Sequence, residues 1–287
     1  YSDDYTKNVF DKYSIKHQDT DVAAVAKLIA DGKVVHWLDG GSEYGPRALG
    51  HRSTLADSRS HTMKDFLNDK VKHREGFRPY APAVLESHSE EYFDLDRPSP
   101  YMLLVADVKD PDRIPSVTHV DGTARVQTVT RESNPNYYDL IDEFYKITGV
   151  PVILNTSFND AGEPIVETPE DAIISFLATK IDYLVINGKY LIDPSENDQV
   201  NLEKIRTDRE AHTEAKSQEY LGKFFPGYDD AERDQYILES NKIAEWHTKY
   251  RSVYELEKKT LEWTKKQSRI LVIGTPDHTN ALSKHIN

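Results

Sequence analysis

Along most of the chain, helical and strand-like spacings of apolar residues alternate. Residues 21–31 place valine, leucine and isoleucine on one side of a helix, with Thr20 as the expected N-cap and Gly32 as the stop signal. Further helical spacings cover residues 63–71, 135–148 and 168–177. Apolar runs with the length of buried strands cover residues 34–38, 102–108, 150–154 and 183–186. This alternation predicts an α/β domain.

Glycine and proline mark several boundaries of these elements. A β-hairpin is expected between residues 117 and 129, because two β-rich runs flank the turn sequence Asp121–Gly122. Pro135 is expected in the first turn of a helix that Gly149 ends, and Thr168–Pro169 has the form of a capped helix N-terminus. The boundaries therefore agree with the apolar spacing.

The composition changes after about residue 193. Residues 193–268 are rich in charged and amide side chains, and four apolar residues among them share one side of an amphipathic helix: Trp246, Tyr250, Val253 and Tyr254. Residues 270–275 form an apolar run that enters a glycine turn. We therefore expect an α/β domain over residues 1–192, an acidic and mainly helical appendage over 193–268, and the first strand of a further or truncated module within 269–287.

The overall charge limits the classes of partner. The chain carries 49 acidic and 36 basic residues, a formal net charge of −13, which disfavours a broad nucleic-acid-binding or membrane-binding surface. The absence of cysteine excludes disulfides, thiolate metal sites and cysteine nucleophiles, and it suits a cytoplasmic protein. No apolar run approaches the roughly 20 residues that span a bilayer. Because the sequence begins at Tyr1 without methionine, we expect it to be a piece of a longer polypeptide.

The candidate chemistry centres on the segment Leu38–Ser53, which reads LDGGSEYGPRALGHRS. Its glycines allow backbone N–H groups to approach a ligand closely. Arg47 and Arg52 offer forked donors that match a phosphate or a carboxylate. The alternative is that these arginines pair with structural carboxylates such as Glu43 or Asp57.

Other hydrogen-bond donors follow at loops and strand ends, and they comprise Lys72, Arg78, Arg125, Ser157 and Asn159. A cluster of cations is costly to bury unless an anion neutralises it, so their co-occurrence predicts a site for a polyphosphate and a second small anion. Separately, Lys72 and Arg78 would suit a solvated helix end, and Ser157 and Asn159 would suit backbone capping. No Walker loop and no transition-metal motif is present, and His119 and Asp121 are interpreted as structural.

Several segments together resemble the C-terminal domain of the NodU/CmcH-type O-carbamoyltransferases, and the resemblance extends from about residue 1 to residue 192. The segments are GGSEYGPRALGHRS, FRPYAPAVL, SPYMLLVADV, THVDGTARVQTV and NPNYYDLIDEFYKITGVPVILNTSFNDAGEPIVETPEDA. The resemblance implies a YrdC-like fold, which is a twisted mixed sheet with flanking helices and a concave nucleotide site. It does not cover the last part of the chain.

The resemblance also implies roles for the donors. Lys72, Arg78, Ser157 and Asn159 would bind the phosphates of ATP, together with Arg52, while Arg47 and Arg125 would hold carbamoyl phosphate or the carbamate derived from it. The implied reaction converts carbamoyl phosphate and ATP into carbamoyl-AMP and pyrophosphate with the help of Mg²⁺. The carbamoyl group then moves to an acceptor hydroxyl, and no protein nucleophile is expected.

Family members also carry an N-terminal ATPase-like domain, which holds iron or another metal and binds the acceptor. Nothing in this sequence resembles that domain, so the resemblance implies a partner domain in the same or another chain. A homodimer is a second candidate assembly. Two other functions stay open: a threonylcarbamoyl-AMP synthase of tRNA modification, against which the GPRALG segment argues, and a non-catalytic nucleotide-binding module.

Overall fold

The computed structural model describes residues 1–43, 45–160 and 162–224. Residues Tyr1–Arg209 form one compact unit, and Glu210–Asn287 belong to a second unit. The amphipathic face predicted around Trp246 and the strand predicted at 270–275 lie outside the described residues. No helix within the described residues is long and apolar enough to cross a lipid bilayer.

Nine strands within the described residues form one mixed sheet. They are β1 (Gln18–Asp19), β2 (Val35–Leu38), β3 (Arg52–Asp57), β4 (Ala81–Leu85), β5 (Leu104–Asp107), β6 (Thr123–Val129), β7 (Val152–Ser157), β8 (Tyr183–Ile186) and β9 (Tyr190–Ile192). Their order is β1-β9-β8-β2-β3-β7-β4-β6-β5. The pairs β2–β8 and β4–β6 are parallel, and the other neighbouring strands are antiparallel. The predicted mixed α/β sheet is therefore confirmed.

Helices cover both faces of this sheet. The helices of the described residues are α1 (Asp3–Tyr13), α2 (Val22–Ala30), α3 (Met63–Lys70), α4 (Ser89–Tyr92), α5 (Pro135–Thr148), α6 (Pro169–Thr179) and α7 (Leu202–Phe224), and those that cover the sheet are α1, α2, α3, α5 and α6. Because successive strand residues point to opposite faces, Trp37 and Ile153 pack with α2 and α5, whereas Leu38 and Leu154 pack with α1, α3 and α6. With both faces buried, the ends of the strands are the places left for a ligand site.

The predicted helix boundaries agree closely with the structure. The side chain of Asn134 caps α5, which begins at Pro135, and Gly149 ends it in the left-handed conformation with a φ of 72°. Thr168 and Asp171 form a capping box at the start of α6. At α2 the expected cap was wrong by one residue, because Asp21 accepts a hydrogen bond from the Ala24 N–H and Thr20 does not cap the helix.

Two strand predictions were also wrong in part. The turn at Asp121–Gly122 forms, but residues 118–120 are not a strand, and β6 pairs instead with β5. The apolar run predicted as a buried strand becomes β5, a strand at the edge of the sheet in which Val105 is 58% exposed. Val120 is 88% exposed. In both places β-branched residues indicate strand propensity, although neighbouring elements do not cover them.

The loop between β2 and β3 has a path that only particular residues allow. Both Glu43 carboxylate oxygens accept hydrogen bonds from backbone N–H groups, Oε1 from Leu49 (2.6 Å) and His51 (2.9 Å), and Oε2 from Arg52 (3.2 Å). Gly50 has a φ of 105°, and a Cβ atom there would lie 2.2 Å from the Tyr137 ring. These contacts fix the loop that carries Arg47.

Candidate functional site

A pocket of about 150 Å³ lies where the β2–β3 loop meets the start of β4 and the end of β7. Its lining residues are Pro46, Arg47, Ala48, Arg74, Pro79, Tyr80, Ala81, Met102, His119, Arg125, Asn155, Thr156 and Ser157. The lining contains three arginines and no aspartate or glutamate. In a chain with a net charge of −13, this concentration of positive charge indicates a site for an anion.

Arg47 and Arg125 both line this pocket, although they are 78 positions apart in the sequence. Arg47 is exposed and Arg125 is partly buried. Partial burial lowers the pKa of Arg47, and the positive charge of Arg125 lowers it further. Among the described residues no carboxylate forms an ion pair with either guanidinium. A bound anion would relieve the repulsion between these two cations.

Lys72, Ser157 and Asn159 are also brought together, at the end of β7. Lys72 is 8% exposed, and its ammonium group donates to the Ser157 carbonyl (2.8 Å), the Asn159 carbonyl (2.9 Å) and Asn159 Oδ1 (2.7 Å). Burial lowers the pKa of Lys72 to about 7, Arg74 contributes in the same direction, and Asp160 acts against them. Ser157 lines the pocket together with Arg47 and Arg125, whereas Lys72 and Asn159 are not among the lining residues, so this cluster adjoins the pocket through Ser157.

The structure does not bring Arg78 into the pocket. Its side chain is 52% exposed and forms an ion pair with Glu75 at 2.9 Å. Arg74, which was not predicted as a site residue, lines the pocket instead. Its Nε donates to Asn68 Oδ1 at 2.8 Å, and its guanidinium lies 4.8 Å from the centre of the Tyr80 ring. The basic cluster after α3 was a usable signal, but it did not show which arginine would reach the pocket.

Arg52 is likewise not among the pocket residues. It is 1% exposed, and its guanidinium donates to the backbone carbonyls of Asp39 (3.0 Å), His51 (3.0 Å) and Glu167 (3.2 Å). Neither of the carboxylates considered from the sequence forms an ion pair with it, because Asp57 binds Arg59 and Glu43 accepts backbone N–H groups. The contacts of Arg52 are those of a residue that holds loops together.

Three further polar residues of the pocket were not selected from the sequence. His119, interpreted there as structural, lines the pocket while its Nδ1 lies 3.0 Å from Thr123 Oγ1. Burial lowers the pKa of His119, which favours the neutral imidazole. Asn155 and Thr156 are the two residues of β7 that directly precede its last residue, Ser157. The polar run after residue 154 was the signal for them, although it did not show which side chains face the pocket.

The side chains of this candidate site are of the types that bind anions. The candidate donors are guanidinium, ammonium, hydroxyl and amide groups, which match phosphate oxygens. Within the described residues no group of three histidine, aspartate or glutamate side chains could hold a metal ion. The fold and site therefore define an α/β domain with a cationic pocket at the end of its central strands.

The chain belongs to the carbamoyltransferase C-terminus family, whose model matches residues 26–193. It is 44% identical over 227 residues to the uncharacterised protein sll1178 of Synechocystis, covering 70% of this chain and 36% of that protein. It is 52% identical over 178 residues to the nodulation protein NolNO of Sinorhizobium fredii, covering 60% of this chain and 26% of that protein. The matched regions thus span about a quarter to a third of these curated relatives.

Two solved structures show distant likeness. Full-length HypF in its phosphate- and nucleotide-bound form is 18% identical, covers 59% of this chain and 25% of that chain, and gives a TM-score of 0.45. Sua5 of P. abyssi complexed with L-threonine is 14% identical, covers 58% of this chain and 47% of that chain, and gives a TM-score of 0.41.

Proposed function

We propose that this domain activates carbamoyl phosphate with ATP, forming carbamoyl-AMP for transfer to an acceptor hydroxyl. The observation that carries the proposal is a pocket lined by Arg47 and Arg125, to which a second cluster of donors is joined through Ser157, in a carbamoyltransferase-family domain. Arg47 and Arg125 form the first cluster, and Lys72 with Ser157 and Asn159 forms the second. Two anionic substrates that react with each other would find donors in these two adjoining clusters.

In the proposed arrangement, Arg47 and Arg125 hold the smaller anion. Each guanidinium offers paired donors to phosphate or carbamate oxygens, and no carboxylate among the described residues competes for them. Burial lowers the pKa of Arg47, and the positive charge of Arg125 lowers it further, in the direction expected of two neighbouring cations. An anion between them supplies the missing partner, so the residues present fit carbamoyl phosphate or carbamate.

The nucleotide phosphates are assigned to the second cluster. Lys72 supplies an ammonium group, Ser157 a hydroxyl and Asn159 an amide, and Arg74 adds a guanidinium from the pocket wall. A phosphate oxygen that replaces one of the neutral acceptors of Lys72 would give its ammonium a charged partner. Magnesium bound to the nucleotide phosphates would share the negative charge of the reacting groups.

The reaction is a displacement at phosphorus. Carbamate arises from carbamoyl phosphate with uptake of water and release of phosphate, and its oxygen then bonds to the α-phosphorus of ATP. The bond from that phosphorus to the bridging oxygen breaks, and pyrophosphate leaves with its electron pair. The cationic side chains stabilise the charge on the transferring and leaving groups, so no protein nucleophile is needed.

The complete transfer reaction is part of the same proposal. Because the matched regions span about a quarter to a third of the curated relatives, an N-terminal ATPase-like domain in the same or another chain is the proposed partner for binding the acceptor. Iron or another metal would belong to that domain. A homodimer of this chain is a second proposed assembly.

The direct experiment is exchange of labelled pyrophosphate into ATP by this chain with Mg²⁺. We expect exchange that depends on carbamoyl phosphate. Exchange that requires threonine and bicarbonate instead would favour a threonylcarbamoyl-AMP synthase. Binding of ATP without any exchange would favour a non-catalytic nucleotide-binding module and would contradict adenylation by this domain alone.

A further inference from the structure

Asn155 is a pocket residue whose side chain is only partly used by the protein. It lies in β7 and is 1% exposed. Its Nδ2 group donates to the Ala48 carbonyl at 3.0 Å and to Gln127 Oε1 at 2.8 Å. Its Oδ1 atom has no hydrogen-bond donor among the described residues. A buried acceptor without a donor is costly, and at a pocket wall it points to a ligand group that donates.

The orientation of the Asn155 amide follows from its neighbours. A backbone carbonyl can only accept a hydrogen bond, so the bond to Ala48 requires the nitrogen of Asn155 on that side. Gln127 is oriented in the same way, because its Nε2 donates to the Leu49 carbonyl at 2.8 Å and leaves its Oε1 facing Asn155. Two carbonyls of the β2–β3 loop therefore fix both amides, and the oxygen of Asn155 is the acceptor left over.

The position of this network connects it to the proposed small-anion site. Ala48 directly follows Arg47 in the loop, and Gln127 lies two residues after Arg125 on β6. Asn155 thus bonds to the loop that carries Arg47 and to the strand that carries Arg125. Asn155, Arg47 and Arg125 all line the pocket. The unpaired acceptor therefore belongs to a side chain that is bonded to both of the elements that carry the arginines.

We infer that Asn155 Oδ1 accepts a hydrogen bond from the NH₂ group of the carbamoyl substrate and selects carbamoyl over other acyl phosphates. This inference rests on the proposed function and adds the residue that recognises the carbamoyl nitrogen. A carbamoyl NH₂ group has two N–H donors, whereas the methyl group of an acetyl analogue of similar size has none. The analogue would leave Oδ1 unpaired, and a site built to bond an N–H group discriminates strongly against a ligand that lacks it.

The test compares two stable ligands that differ only at this group, phosphonoacetamide with NH₂ and 2-oxopropylphosphonate with CH₃. Titration calorimetry gives the ratio of their dissociation constants for the whole chain. We expect the wild-type chain to prefer phosphonoacetamide by about tenfold or more, because an unpaired buried acceptor costs roughly 1–3 kcal/mol. In Asn155→Ala this ratio should fall close to one.

Gln127→Ala is the matched control, since it breaks the same network but keeps Oδ1 and the bond from Asn155 to Ala48. Its affinity for both ligands is expected to change together, so its ratio should remain near the wild-type value. Circular dichroism melting confirms that each variant is folded. If Asn155→Ala does not fold, the wild-type ratio alone decides the inference.

Equal affinity of the wild-type chain for both ligands would overturn this inference and leave the proposed function intact. An unchanged preference in folded Asn155→Ala would also overturn it, because the preference for the NH₂ group would then not depend on Oδ1. Failure of both ligands to bind, together with absent carbamoyl-phosphate-dependent exchange, would overturn the proposed function and this inference with it.

Discussion

Lys72 Nζ lies 2.7 Å from Asn159 Oδ1, a contact that joins the segment after α3 to the segment after β7. The two residues are 87 positions apart, so this hydrogen bond is a tertiary contact, and it lies next to the pocket residue Ser157. It also holds a cation in a place where only 8% of the Lys72 residue is exposed. A test of the proposed nucleotide binding and a pH dependence of stability both follow from this position.

Replacing Lys72 by methionine should weaken ATP binding about tenfold or more, because a charge-assisted hydrogen bond contributes roughly 1.5–3 kcal/mol. Calorimetric titration with ATP and Mg²⁺ measures the change. Lys70→Met is the matched control, since the side chain of Lys70 is 64% exposed and pairs with Asp69. Unchanged ATP affinity in folded Lys72→Met would remove Lys72 from the nucleotide site.

Lys72 should also make stability depend on pH. Its pKa in the folded chain is lowered to about 7 by burial, while that of an unfolded lysine is about 10.4. Between these values the unfolded chain binds more protons, so this residue makes the free energy of unfolding rise with pH. Its destabilising effect is therefore largest at and below about pH 7.

Urea unfolding at several values between pH 7 and pH 9.5, roughly the window in which the two states differ in protonation, measures this effect. Lys72→Met should lack the contribution of Lys72, so its stability should rise less with pH than that of the wild type. Parallel pH profiles for the two proteins would show that the lysine keeps its ordinary pKa in the folded chain.

Arg47 and Arg52 should respond very differently to the same substitution. Arg52→Met leaves the carbonyls of buried loops without donors, so we expect a loss of about 3 kcal/mol in the free energy of unfolding. Arg47→Met changes an exposed side chain and should stay within about 0.5 kcal/mol of wild type. Urea unfolding tests both, and comparable losses in the two variants would contradict the structural role assigned to Arg52.

The fold was predictable where local signals agree. The bounds of α5 and α6 follow from Asn134, Gly149 and Thr168, whose side chains or backbone conformations act on their own helix ends. The buried strand β8 was predicted at its observed residues, 183–186. The strand predicted at residues 118–120 does not form. β propensity does not determine whether another strand lies alongside, and here β6 pairs with β5 instead.

The site was predictable by residue type and only partly by position. Arg47 and Arg52 are five residues apart with the same chemistry, and only the path of the β2–β3 loop separates the pocket residue from the buried one. Arg74 and Arg78 also share their chemistry, and it is the path of the segment between α3 and β4 that brings Arg74 and not Arg78 to the pocket. The arrangement of Asn155 needs Gln127 and Ala48, which are 28 and 107 positions away, so no local pattern could have revealed it.

The central claim is that Arg47 and Arg125 hold the carbamoyl substrate for adenylation. It is tested most directly by carbamoyl-phosphate-dependent exchange of pyrophosphate into ATP in Arg47→Met and Arg125→Met. Arg97→Met serves as the control, because Arg97 is 68% exposed and pairs with Asp96. We expect losses of about 100-fold in each pocket variant, the effect of removing one preorganised donor, and none in the control. Undiminished exchange in both folded pocket variants would contradict the claim.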